Sequence, residues 1–155
     1  MSYENKYFIY LKSRSKLALF YRRFFLYKIL DYFLKKPCLD VGCGIGDFLN
    51  ISRKCEDGVD TNKYAVQYCK DSNLDVELII NNKLPYPDNS FKSVILDNVL
   101  EHIENPSELL NEIKRVLSNE SILIIGVPGI KGYKNDEDHK VYYDDKNIYN
   151  VMENY

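Results

Sequence analysis

The sequence has no cysteine pair at C-x-x-C spacing, no uninterrupted apolar run of membrane-spanning length, no marked excess of either charge and no internal repeat. Each absence removes a class of function. Cys38, Cys43, Cys55 and Cys69 make neither a zinc knuckle nor a dithiol redox motif, and the opening MSYENKYFIY lacks the charged-then-apolar layout of a secretory signal. A reduced, cytoplasmic setting is expected. With 21 Lys and Arg against 23 Asp and Glu, a net charge of -2 leaves no basic field to track a phosphate backbone, so no nucleic-acid partner is expected. The stretch from residue 17 to 34 comes nearest to the length of about 18 apolar residues that suggests a membrane span. Arg22, Arg23, Lys28 and Asp31 interrupt it. What remains is an amphipathic helix over 16–35, read first as packed on the domain. Its second reading is a membrane-surface contact, because Lys16, Lys35 and Lys36 flank it and aromatic residues interleave.

What is present is enough for one packed core, so 1–155 is read as a single domain. Beyond residue 36, short apolar runs alternate with longer amphipathic segments, the pattern of a parallel sheet with helical crossovers, hence an α/β fold. Strands are expected at Cys38–Val41, Gly58–Asp60, Val76–Ile80, Ser93–Leu96 and Ile122–Val127. Helices are expected at 62–70 and at PSELLNEIKRVL, where Asn105 can cap, Pro106 takes the first position and Glu108 completes a capping box. The apolar stripe of that helix is Leu109, Leu110, Ile113, Val116 and Leu117. LPYPDNSF, residues 84–91, reads as an ordered loop feeding the fourth strand.

Chemistry concentrates in LDVGCGIGDF, residues 39–48, where a strand runs into Gly42, Gly44 and Gly46 and a helix start is expected. Glycines at alternate positions let backbone approach a ligand with no Cβ in the way. Dinucleotide folds use a similar turn with the fingerprint G-x-G-x-x-G, but here the third glycine falls one residue early and Asp47 holds the fingerprint position. Asp40, directly before the loop, would repel a pyrophosphate and attract a ligand bearing ammonium and sulfonium charges, as S-adenosylmethionine does. Asp60, ending the second strand, can accept hydrogen bonds from both ribose hydroxyls, or it can cap the helix that follows. Cys43, inside the loop, reads as a small apolar filler at the cofactor's edge and not as a nucleophile.

The order of these motifs, with LPYPDNSFKSVILDNVLEHIENPSELLNEIKRVL and the strand SILIIGVPG behind them, resembles the class I S-adenosylmethionine-dependent methyltransferases of small-molecule type. The resemblance spans residue 37 to about 152 and implies a Rossmann-like sandwich around a parallel sheet. It implies that Asp40, Gly42, Cys43, Gly44 and Gly46 surround the methionine end of the cofactor and that Asp60 holds the ribose. Thr61 would cover one face of the adenine, with Asn81 and Asn82 at its edge, although relatives more often carry Asp near position 81. Asp97, Asn98 and Val99 would floor the pocket near the methyl group. Glu101 and His102 match the Glu-His pair that follows the fourth strand in relatives, making His102 the candidate general base for a hydroxyl acceptor, or a packed residue at a helix end. Some ubiquinone-pathway O-methyltransferases carry E-x-x-E-H here and place a metal on it; this chain has Asn98 in the first position, a poorer ligand, so no metal is expected. His139, with Asp136 and Asp138, is a second candidate for orienting an acceptor or a surface residue, and Tyr133, Tyr142 and Tyr143 a candidate aromatic wall.

Two departures accompany the resemblance. Class I methyltransferases normally add an antiparallel strand pair after the fifth strand, whereas this chain continues into NIYNVMENY, a helical pattern, and is C-terminally short by that measure. An open edge strand invites another chain, a second copy included, so a homo-oligomer is among the expected partners. Ser118-Asn119-Glu120 also stand where relatives place glycines. Methyl transfer to a small-molecule acceptor is the leading reading, with a sugar or glycan intermediate favoured because GVPGIKGYKNDEDHKVYYD resembles methyltransferases of surface-polysaccharide pathways. The alternatives are a cofactor-binding partner subunit without turnover, and a nicotinamide-dependent oxidoreductase.

Overall fold

The computed structural model describes residues 3–153 and 155. Met1, Ser2 and Asn154, included in the expected domain, lie outside the described residues. Five strands form one sheet: β1 (Cys38–Val41), β2 (Cys55–Asp60), β3 (Asp75–Leu78), β4 (Phe91–Asp97) and β5 (Leu117–Gly126). All are parallel, in the order β3-β2-β1-β4-β5. The expected α/β architecture is therefore found. Among the described residues no antiparallel strand joins β5, which leaves it an edge.

Parallel strands buried on both faces need apolar side chains on both, and β4 meets this with Val94, Ile95 and Leu96, all at most 1% exposed. One face packs Val94, Leu96 and Val41 against α5 (Ser107–Val116) and α7 (Asp145–Met152) through Leu110, Ile113, Val116 and Ile148. The other packs Ile95, Cys55 and Val76 against α3 (Tyr27–Phe33) and α4 (Lys63–Asp71) through Tyr27 and Val66. α4 begins at Asn62, whose side chain accepts from the amides of Tyr64 and Ala65. α5 begins one residue later than expected: Pro106 is its N-cap residue and no side chain caps it, while Asn105 Oδ1, outside the cap position, accepts from the Ser107 amide at 3.2 Å. Glu108 does not close the capping box; it accepts from Asn82 Nδ2 at 2.8 Å instead and ties the loop after β3 to this helix. Leu117 belongs to β5 and not to the helix, because its partner Phe91 draws it into the sheet. The loop 84–91 is held by Arg115, which donates to the carbonyls of Leu84 and Tyr86 and pairs with Asp88 and Glu112.

Three further differences from expectation have local causes. The glycine loop does not run into a helix: residues 42–51 are successive turns, in which the Asn50 side chain and the Asn50 amide both claim the Gly46 carbonyl. The expected helix 16–35 is broken into α2 (Lys16–Tyr21), a π turn (Arg22–Leu26) and α3, and α1 (Tyr3–Ser13) precedes it. That region turns Tyr27 and Leu34 inward while Leu17, Phe20, Tyr21, Phe24, Phe25 and Ile29 stay more than half exposed. Finally, the Ser118-Asn119-Glu120 turn becomes a register shift between β4 and β5, with Glu120 at φ 56°, a conformation glycine adopts more readily. No described helix is long and apolar enough to cross a membrane.

Candidate active site

In a sheet of this order the chain direction of winding reverses between β1 and β4, and ligands bind where the carboxyl ends of the strands open at that point. Two of the expected motifs meet there. The glycine loop leaves β1 and is anchored to β2 by the Gly42 and Cys43 amides, which donate to the Val59 carbonyl at 2.8 and 3.1 Å. Asp97, Asn98 and Val99 leave β4 beside it, and Val99 fills the space that a side chain at Gly42 would need.

A small cleft of about 90 Å³ is lined by Asp40, Asp47, Asp60 and Asp97 together with Arg14 and Arg22. Arg14 pairs with Asp47, and Arg22 pairs with Asp97 while its Nε donates to Tyr27 Oη at 3.0 Å. Asp40 is 5% exposed, and burial, followed by the charges of Asp97 and Asp60, pushes its carboxyl well above the ordinary range. Burial also raises Asp60, against the opposing pull of backbone amides: Oδ2 accepts from Gly44 at 2.8 Å and Oδ1 from Asn62 at 2.7 Å. Asp60 thus locks the glycine loop to the start of α4. The chemistry of this donor set suits the zwitterionic end of an amino acid, carboxylates for an ammonium and guanidinium groups for a carboxylate. A side chain at Gly44 would meet only Leu11, at 3.4 Å, so this is where backbone faces open space. The residues present fit the methionine end of S-adenosylmethionine and oppose a pyrophosphate.

A larger cavity of about 640 Å³ adjoins it, lined on one side by Asp60, Thr61, Ile79 and Asn82 and on the other by Tyr7, Asn98, Val99, His102, Asp138 and Lys140. The first side suits a nucleoside, with Asp60 at its junction with the cleft. Not every expected residue reaches these cavities. Gly46 faces Leu74 and Cys69 in the packed layer, so its lack of a side chain serves packing. Asn81 is exposed at φ 52° and lines neither cavity, whereas Asn82 lines the larger one. Cys43 lines the small cleft, and its hydrogen bond with Cys69, followed by burial, raises its thiol, which keeps it protonated as a filler.

At the far side His102 borders the larger cavity from the turn Leu100–His102. Its Nδ1 lies 3.3 Å from the Asp138 carbonyl, and burial lowers its pKa, which keeps the ring neutral. Behind it Glu101 is 1% exposed, and neither carboxylate oxygen has a hydrogen-bond partner. Burial raises its pKa to about 7. The Lys140 and Val141 amides donate to the Glu101 carbonyl at 2.7 and 3.1 Å, which brings His139 over it. His139 stacks on Tyr133, with ring centroids 5.4 Å apart, and Tyr133 meets Tyr142 edge-on at 5.3 Å; Tyr143 is buried in the core instead. Arg14, Arg22 and Tyr7 were not legible as site residues, since their places depend on how the N-terminal helices fold back. Gly126 was also missed: a side chain there would strike Asp97.

A doubly wound sheet with carboxylates, two arginines and a glycine turn at its switch point defines a Rossmann-like fold with a ligand cleft at the carboxyl ends of its strands. The chain belongs to the methyltransferase domain family, which it matches over residues 39–125. S-adenosylmethionine-dependent methyltransferases from Archaeoglobus fulgidus and Aquifex aeolicus superpose with TM-scores of 0.71 each. The first is 21% identical and is covered to 73%, with 98% of this chain; the second is 24% identical and is covered to 88%, with 99% of this chain. Among curated proteins, an uncharacterized protein of Methanocaldococcus jannaschii is 28% identical over 120 residues, spanning 74% of this chain and 58% of that protein. A second from the same organism is 35% identical over 92 residues, 57% of this chain and 39% of that protein. The chain thus spans 58% or less of the length of these relatives. The two solved structures, each below 25% identity, share the fold of this chain.

Proposed function

We propose that this chain transfers a methyl group from S-adenosylmethionine to a small-molecule acceptor bound on the His102 side of the larger cavity, with a hydroxyl of a sugar or glycan intermediate as the favoured class. The observation that carries this reading is the convergence of Asp40, Asp60 and Asp97 with Arg14 and Arg22 at the switch point, directly beside a cavity that continues to His102. The cofactor supplies an activated methyl group whose sulfur leaves without charge. The protein's part is therefore positioning and exclusion of water more than covalent chemistry. Asp60 positions the glycine loop and presents its outer lone pairs to the ribose. Asp40 offsets positive charge at the amino-acid end. Val99 closes the floor over Gly42. His102, neutral and held through Nδ1, is placed to take the proton of an acceptor hydroxyl at Nε2. Asn82 and Thr61 support the adenine, whereas Tyr133 and Tyr142 are half-buried, pack on His139 and on each other, and line neither cavity.

Calorimetric titration with S-adenosylmethionine, S-adenosylhomocysteine and NADH tests the first half, and turnover across a panel of hydroxylated acceptors the second. Binding of NADH alone would sink the reading. The open edge of β5 favours a second reading, a cofactor-binding partner subunit without turnover; cofactor binding with no methylated product from any acceptor would select it. The exposed aromatic face of residues 17–29, with Lys16 and Lys28 beside it, supports a membrane-surface contact, read by sedimentation with anionic vesicles.

A further inference from the structure

Glu101 is the anomaly of the molecule. A carboxylate that is 1% exposed, with both oxygens lacking a hydrogen-bond partner, is costly to keep in a fold unless something compensates it. Its surroundings supply two imidazoles. One donor atom each from Glu101, His102 and His139 lie within 4.8 Å of one another. The closest measured approach is His139 Nε2 to Glu101 Oε1, at 3.8 Å.

Both rings are held in the same way. His139 Nδ1 lies 2.8 Å from the Tyr133 carbonyl and His102 Nδ1 3.3 Å from the Asp138 carbonyl. A carbonyl can only accept, so each Nδ1 carries the proton and each Nε2 keeps its lone pair. Carbonyls that accept from the far ring nitrogen in this way fix the tautomer and ring orientation of metal-bound histidines. Asp136 Oδ2 lies 3.9 Å from His139 Nε2, on the same side as Glu101.

We propose that Glu101, His102 and His139 form a binding site for a divalent first-row transition cation of the zinc class, with its open position facing the larger cavity through His102. Two imidazole nitrogens and one carboxylate oxygen are the ligand types that such a cation takes in open, catalytic-style sites. Bond lengths of about 2.0 to 2.2 Å place donors on one tetrahedral ion roughly 3.4 Å apart, so donors now within 4.8 Å of one another close by up to about 1.4 Å on binding. The Glu101–His139 approach is already near that spacing. The site departs from the sequence expectation that no metal binds, because its third donor comes from the segment after β5 and Asn98 takes no part. It does not rest on methyl transfer and is read without cofactor; an ion bound here takes the His102 Nε2 lone pair, so the metal-loaded state and the general-base role of His102 exclude each other.

The test uses the full chain, stripped with chelator and titrated with Zn²⁺ by calorimetry and with Co²⁺ by visible absorption. Expected are one ion per chain and a Co²⁺ d–d spectrum of four- or five-coordinate intensity. Glu101→Gln and His139→Gln should each weaken Zn²⁺ binding at least tenfold, and the pair should abolish the Co²⁺ spectrum; circular dichroism checks that each variant folds. Asp60→Ala, which damages the cofactor side, should leave metal affinity unchanged, so failure of the metal site and of the cofactor site are told apart. If one variant fails to fold, His102→Gln, at the more exposed position, takes its place. No stoichiometric binding, or binding undiminished in the folded variants, overturns the proposal in favour of a Glu101–His139 ion pair alone.

Discussion

The two ends of the binding cleft are built differently. On the glycine-loop side, Asp60 is buried with each oxygen held by one amide, Oδ2 by Gly44 and Oδ1 by Asn62. On the histidine side, Glu101 is buried more deeply and has neither oxygen engaged. The first carboxylate stiffens backbone that is complete before any ligand arrives. The second leaves a demand that the fold does not meet from within. The glycine-loop end is thus preformed, whereas the histidine end keeps a carboxylate unmet, which fits the proposed division into a cofactor end and an acceptor end.

The largest expected effect separates the ends most sharply. His102→Gln should lower turnover by about 10²-fold or more, the usual scale of a lost general base, with S-adenosylhomocysteine affinity unchanged in calorimetry. Equal loss in both would merge the two ends into one site. Next, Gly44→Val should cut S-adenosylhomocysteine affinity by about 100-fold, because a β-branched residue at φ 56° is strained and its side chain enters the open face. Gly46→Val, by contrast, should show its effect as a lowered melting temperature, since its neighbours are core side chains. Asp60→Ala should weaken cofactor binding by about 10- to 100-fold, the loss of charge-assisted bonds worth roughly 1.5 to 3 kcal/mol, with a neutral effect on metal affinity.

The smallest effect is a pH dependence. Asp40 is raised in the folded state by burial and by Asp97 and Asp60, so folding favours its neutral form. Its contribution to stability is complete below the unfolded carboxyl value and is lost as pH rises through the raised folded value. A cationic ligand favours the ionised form. Affinity for S-adenosylmethionine should therefore climb as pH rises toward the folded value of Asp40, by at most about tenfold per unit for one linked proton. S-adenosylhomocysteine, which lacks the sulfonium, should climb less, and Asp40→Asn should flatten both. A pH-independent affinity in the unaltered protein would show that Asp40 does not face the cofactor's charge.

Local patterns were legible where neighbours in sequence are neighbours in space. Strand β1 with its glycine turn and the buried stripe of α5 follow from periods and turn chemistry within a few residues. The misreadings fall where a distant partner decides. Leu117 continues the helical stripe in sequence, yet pairing with Phe91 puts it in β5. Gly46 continues the glycine pattern, yet Leu74 and Cys69 occupy its far side. Asn82 reaches the cavity while Asn81, its neighbour in the same turn, does not.

By itself the sequence determined the parallel α/β sheet, the glycine turn and the acidic residues around it, because periodicity, backbone freedom and charge are properties of short segments. Only the tertiary structure decided that Arg14 and Arg22 fold back onto Asp47 and Asp97, and that His139 comes to rest beside Glu101 and His102. Those contacts join residues tens of positions apart, and their geometry is set by how helices and loops pack over the sheet, a property that no local pattern carries.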